Sequence, residues 1–179
     1  MDILRHFVFC PRCAQRLPQP PPAPNYIECT GCRFRCYFNA GAAAACFVWR
    51  SDGKVLFIRR AKDPAQGRLA PPGGFVDAGE SAEQAVTREI FEEVGFQISP
   101  PEFLGSFPNS YFFREIHYTT LDLFFTATLE STSGVTNPEE VQSLVWLNPM
   151  DVDPDEMAFP SMKAALILLK SNGGRVSLG

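Results

Sequence analysis

No stretch of this 179-residue chain is apolar for long enough to cross a membrane as a helix. The longest such run, Ala40–Trp49, is about half of what a span needs. The amino terminus, Met-Asp-Ile-Leu-Arg-His, lacks a basic segment followed by an apolar one, the pattern that directs secretion. The expected location is therefore the cytoplasm, with no membrane partner. No internal repeat is visible. Excess charge is also scarce, at a net −4, and it is unevenly spread. Residues 1–36 hold Arg5, Arg12, Arg16, Arg33 and Arg35 against Asp2 and Glu28, a balance of +3, so the remainder carries −7. A surplus of three charges is too small to argue for nucleic acid, which stays possible but not favoured. Core-forming residues are not lacking. An apolar fraction of 45% and a mean hydropathy of −0.06 describe a globular chain with room for one good-sized domain and a small one.

Five acidic residues lie between Glu80 and Glu93. Glu89, Glu92 and Glu93 stand at i, i+3 and i+4, which puts three carboxylates on one face of a helix. Anions so close repel one another, so a helix that presents them together is suited to holding cations. Ser81 followed by Gln84 is a capping-box pattern that starts the helix at Ala82. Gly95 fits the residue just past its end, and Val86, Ile90 and Val94 form an apolar stripe on another arc. Glu83 supplies favourable charge near the helix N-terminus. Ahead of the helix, Pro71-Pro72-Gly73-Gly74 is a tight loop whose glycines allow close approach to a ligand. A merely solvated acidic face is the plain alternative, and nine specified positions at fixed spacing weigh against it.

The pattern Gly74-x5-Glu80-x7-Arg88-Glu89-Ile90-x-Glu92-Glu93-x-Gly95-Phe96 resembles the signature of the Nudix hydrolases without departure. That resemblance implies a Nudix-type α/β/α sandwich with a mixed sheet. It also implies hydrolysis of a nucleoside diphosphate linked to another moiety, with Mg2+ or Mn2+. Hard divalent cations neutralise the diphosphate and lower the pKa of bound water, leaving the protein to position the reactants. The implied metal ligands are Glu89, Glu92 and Glu93 with the carbonyl of Gly74, whereas Glu80 and Arg88 match a structural pair. Glu140, six residues before Trp146, matches a further glutamate that adds a metal ligand or acts as general base in many members. Its neighbour Glu139 is the fallback, and two solvated loop acids are the bland reading.

Cys10-Pro-Arg-Cys13 and Cys29-Thr-Gly-Cys32 have the spacing of a four-cysteine zinc site. Disulfides are the alternative, disfavoured without a secretory signal. The intervening Pro18, Pro20, Pro21, Pro22 and Pro24 require an exposed loop, and so short a segment would draw its stability from metal. Cys36 and Cys46 are left over, Cys46 as a buried filler. The expected organisation is thus a zinc ribbon over residues 1–38 and a Nudix domain over 39–179.

Strands are expected at Ala43–Trp49 and Val55–Arg59, joined as a hairpin through Ser51-Asp52-Gly53, and at Phe103–Tyr111, Thr119–Leu129 and Val141–Leu147. A C-terminal helix is expected at Ala158–Lys170, stopped by Asn172-Gly173-Gly174. A ribbon before the box, and Phe107-Pro108-Asn109-Ser110 after it, are similar to the NADH pyrophosphatase branch. Two departures limit that likeness. The Ser-Gln-Pro-Trp part of the branch motif is replaced by Phe103-Leu104-Gly105-Ser106, and no counterpart is expected of the domain that precedes the ribbon there. The likeness implies a dinucleotide or ADP-sugar substrate such as NADH or ADP-ribose, contacted by Phe107, Ser110, Tyr111 and Phe159, and a homodimer. Removal of a nucleotide cap from RNA, dNTP hydrolysis and an inactive nucleotide sensor are the alternatives.

Overall fold

The computed structural model describes residues 3–132 and 135–173. It divides into two compact units, Met1–Ala40 with Ser110–Thr119, and Gly41–Asn109 with Thr120–Gly179. In the first unit, β1 (Tyr26–Glu28) and β2 (Arg35–Tyr37) form an antiparallel pair. Its small core comprises Leu4, Cys10, Leu17, Ile27 and Cys29. The proline-bearing stretch between the cysteine pairs is largely exposed, as its composition requires.

The second unit follows the order β3 (Gly41–Trp49), β4 (Val55–Arg60), β5 (Leu69–Ala70), β6 (Gly73–Phe75), α1 (Ala82–Val94) and β7 (Phe96–Ile98). Then come β8 (Glu102–Phe113), β9 (Ile116–Thr132), β10 (Val141–Leu147) and α2 (Pro160–Ser171); the ends of β8 and β9 extend into the first unit. The strand order is β10-β4-β3-β9-β7, with β5 on β4, β6 on β3 and β8 on β9. The central pair β3–β9 is parallel from Gly41 opposite Thr120 to Trp49 opposite Thr128, among antiparallel neighbours, so the sheet is mixed.

Alternation along β3 separates two cores. Ala44, Cys46 and Val48 pack with Val86, Ile90 and Val94 of α1, whereas Ala45, Phe47 and Trp49 pack with Ala165, Leu166 and Leu169 of α2. The sheet is therefore sandwiched between α1 and α2, the α/β/α arrangement that the resemblance implies.

The hairpin between β3 and β4 forms as expected, antiparallel with Trp49 opposite Val55. The first half of β3 pairs with β6, Ala43 opposite Phe75 through Ala45 opposite Gly73. This pairing seats the double glycine against Ala44 and Ala45. The C-terminal helix begins at Pro160, two residues later than expected, because Phe159 is extended (φ −135°) and Pro160 disfavours helical backbone before it. Gly174, last residue of the expected stop signal, lies outside the described residues. Among the described residues, no helix is long and apolar enough to cross a membrane.

Candidate active site and cysteine centre

Helix α1 is set as its sequence dictates. Ser81 accepts from the Gln84 N–H, and Gln84 returns a bond to the Ser81 N–H at 2.8 Å. Gly95 ends the helix in the left-handed region at φ 71°. With Val86, Ile90 and Val94 buried against the sheet, the acidic arc has three environments.

Glu93 is 7% exposed and accepts from the Gly73 N–H at 2.9 Å. Burial, with Glu89 and Glu140 adding like charge, lifts its carboxyl from 4.5 to about 8 against the pull of the Gly73 N–H and of Arg60. Glu89 is half-buried, and desolvation raises its carboxyl too, opposed by Arg88. Glu92 is exposed and meets Arg88 at 3.1 Å.

Arg88 is the hub of this surface. It contacts Glu80 at 2.6 Å and Glu89 at 2.9 Å, and donates to the Phe75 carbonyl at 3.1 Å. Glu80 also accepts from the Asp77 N–H at 2.7 Å. The pair thereby ties the loop before the helix to the helix itself. Among the described residues, the three glutamates do not draw their oxygens into one cluster, because Glu93 turns to Gly73 while Glu89 and Glu92 lie on Arg88.

Glu140 exerts like-charge repulsion on both Glu89 and Glu93, whereas Glu139 lies 3.5 Å from Lys62. Asn137, which sequence reading passed over, anchors this loop. Its N–H donates to the Glu93 carbonyl at 2.8 Å, and its carbonyl receives the Val141 N–H at 3.0 Å. The Asn137-Pro138 turn was the available signal, but its tie to α1 is tertiary.

The two glycines have different tasks. A Cβ on Gly73 would stand 2.2 Å from the Ala44 carbonyl oxygen, and φ is 147°. A Cβ on Gly74 would stand 2.5 Å from the Glu89 carboxylate. Gly73→Ala is expected to lower Tm by roughly 10 °C, since fixed backbone blocks it and the conformation is strained. Gly74→Ala should shift Tm by only about 2 °C, yet cut hydrolysis about tenfold or more by displacing Glu89. Thermal melts and rates on both variants check this contrast.

The other expected contacts disperse. Phe107 packs on Phe124 with ring centroids 6.1 Å apart, in the α2-side core. Phe159 lies beneath Arg60 at 5.2 Å. Ser110 and Tyr111 belong to the first unit, where Tyr111 stacks on Tyr118 at 5.5 Å.

In that unit, Sγ atoms of Cys10, Cys13, Cys29 and Cys32 all lie within 4.8 Å of one another, and none is in a disulfide. The two Cys-x2-Cys turns repeat one geometry. The Ala14 N–H donates to the Cys10 carbonyl and the Arg33 N–H to the Cys29 carbonyl, each at 2.9 Å, with Ala14 and Arg33 at φ 59° and 60°. Backbone N–H groups of Cys32 and Gly31 help lower the Cys29 thiol to about 7. Four converging soft donors fit zinc, while the carboxylates of α1, which do not converge, are of the donor type that hard divalent cations take.

A NUDIX domain model matches residues 39–168. The NAD-capped RNA hydrolase NudC of Pseudomonas aeruginosa is 32% identical over 167 residues, 91% of this chain and 55% of that protein. The chain thus spans about half the length of the curated relatives it matches first. The ADP-ribose pyrophosphatase of Methanocaldococcus jannaschii is 40% identical over 73 residues, covering 41% of this chain and 43% of that one. A solved NUDIX hydrolase from Nitrosomonas europaea superimposes with a TM-score of 0.70 over 96% of each chain at 21% identity, a likeness of fold alone. With its box intact on α1 and the domain model spanning most of its length, the chain belongs to the Nudix family.

Proposed function

We propose that this chain is a pyrophosphohydrolase that cleaves the phosphoanhydride bond of a nucleotide derivative, with a dinucleotide or ADP-sugar diphosphate such as NADH or ADP-ribose as substrate. The observation that carries this reading is the pairing of a buried, repelled carboxylate, Glu93, with the Gly73 N–H beside Glu89 and Glu140. Such an arrangement is costly unless cations relieve it. The proposed ligands for Mg2+ or Mn2+ are Glu89, Glu92, Glu93, Glu140 and the Gly74 carbonyl. When bound, such metal supplies charge neutralisation of the diphosphate and activation of water. The chain itself holds Glu93 against the loop, keeps Glu80 and Arg88 as the brace of that loop, and presents Glu92 and Glu140 toward solvent, where water and diphosphate arrive.

The proposed division is a zinc ribbon over residues 1–38, held by Cys10, Cys13, Cys29 and Cys32, and a catalytic domain over 39–179. A homodimer and a cytoplasmic location belong to the same proposal. Similarity to a NAD-capped RNA hydrolase over 91% of the chain favours one second reading, in which the dinucleotide is the 5′ end of an RNA. A screen of NADH, ADP-ribose, FAD, ADP-glucose, dNTPs and NAD-capped RNA with Mg2+ or Mn2+ tests both. Turnover of free dinucleotide is expected. Turnover of dNTPs alone would remove the dinucleotide substrate while keeping the enzyme class, and capped RNA alone would select the second reading.

A further inference from the structure

A cavity of about 50 Å3 borders the double-glycine loop, bounded by Gly73, Gly74, Asp122, Phe124 and Met162 over the small residues 43–45. It is far below the ~300–1,000 Å3 that encloses a whole ligand, so it suits a substituent. One wall is an acid. Asp122 is 7% exposed at the centre of β9, opposite Ala43 in the sheet. Alternation places it two residues before Phe124, on the face that otherwise packs against α2. An apolar side chain would satisfy that packing, and burial of a carboxylate is costly.

The acid is held by two hydroxyls. Thr120 donates to one carboxylate oxygen at 2.6 Å, and Ser161, in the first turn of α2, donates to the other at 2.5 Å. A carboxylate has about four acceptor positions, so acceptor capacity remains on both oxygens. Among the described residues, no lysine or arginine forms an ion pair with it. The loop is shared, since the Gly73 N–H holds Glu93 while Gly73 and Gly74 bound the cavity.

We infer that Asp122 is a specificity-determining residue, held by Thr120 and Ser161 to accept a hydrogen bond from an N–H or O–H donor on the nucleoside part of the substrate. This rests on the proposed hydrolase function, with the diphosphate at the glutamates and one donor of the nucleoside entering the cavity. Two donors have the required chemistry, an exocyclic amine of the base and a ribose hydroxyl. A structural tie between β9 and α2 would use the same two hydroxyl contacts, but it would not discriminate between ligands.

Calorimetric titration of the intact protein with AMP, IMP, 2′-deoxy-AMP and 3′-deoxy-AMP separates these cases. One analogue is expected to bind roughly 10- to 100-fold more weakly than AMP, the effect of one missing hydrogen bond to a charged acceptor. IMP identifies the amine and a deoxy analogue identifies the hydroxyl. Asp122→Ala should bring AMP down to the level of that analogue and leave the analogue's own affinity unchanged. Equal affinity for all four ligands, no affinity for any, or an equal loss for all four in Asp122→Ala overturns the inference. The wild-type series needs no variant, so a D122A that fails to fold leaves the test standing. Hydrolysis is read separately. Turnover with a flat analogue series overturns this inference alone, and absence of turnover on every diphosphate overturns the function on which it rests.

Discussion

Glu93→Gln is expected to lower kcat by roughly 1,000-fold, a loss in the range seen when one transition-state charge stabiliser is removed. The same change is expected to make the protein more stable when no divalent metal is added. Glutamine keeps the shape and can still accept from the Gly73 N–H, now at 2.9 Å from the carboxylate. It removes a charge that burial opposes and that Glu89 and Glu140 repel. The sign follows from linkage. With the folded-state carboxyl raised from 4.5 to about 8, the folded chain binds a proton that the unfolded chain has released throughout that interval. Stability is then greatest below pH 4.5 as far as this group is concerned, falls as pH rises toward 8, and levels off above it. The wild-type Tm without metal should therefore drop across that window relative to the variant. A gap on the order of 5 °C is expected at pH 8.5. Added Mg2+ should raise the wild-type Tm and not that of the variant. Unchanged activity in Glu93→Gln would falsify the assigned acid site; a lowered metal-free Tm would refute the account of its burial.

The second large effect concerns the cysteine centre. Elemental analysis is expected to find one zinc per chain. Its removal by chelator, or Cys29→Ser, should unfold the first unit. That unit has few buried apolar side chains, and a chain this short gains too little from burial to fold alone. Structural zinc in small domains contributes on the order of 10 kcal/mol of folding free energy, so the loss should be complete, not graded. Limited proteolysis is the direct reading: chelation should open cleavage within residues 14–28 while α1 and α2 stay protected. A metal-free preparation with the same protease resistance would show that the thiols are a packed cluster and not a metal centre.

The box was legible in the sequence because the chemistry it serves is local. Carboxylate spacing on one helix, the capping pair Ser81 and Gln84, the left-handed stop at Gly95 and the apolar stripe of Val86, Ile90 and Val94 all depend on residues within a few turns. The paired Cys-x2-Cys turns are equally local, and four-sulfur convergence follows once the two meet. The mixed sheet between two helices followed from the box and the order of strands together.

Other features depend on partners far apart in the chain. Which glutamate is buried could not be read from spacing, because Glu93 differs from Glu92 through Gly73, twenty residues earlier. That contact exists only because β6 pairs with the first half of β3. Asn137 and Glu140 come to α1 through a backbone bond to Glu93. Nothing local singles out Asp122, which gains its place only when the parallel pairing of β3 with β9 sets it opposite Ala43 and α2 brings Ser161 to it. The sequence by itself determined the family and the spacing of its glutamates and cysteines, because short-range spacing sets which side chains share a turn. Tertiary structure decided which acid is desolvated, which loop acid joins it and which buried carboxylate borders the cavity. Desolvation and cross-sheet contact arise only when distant segments pack.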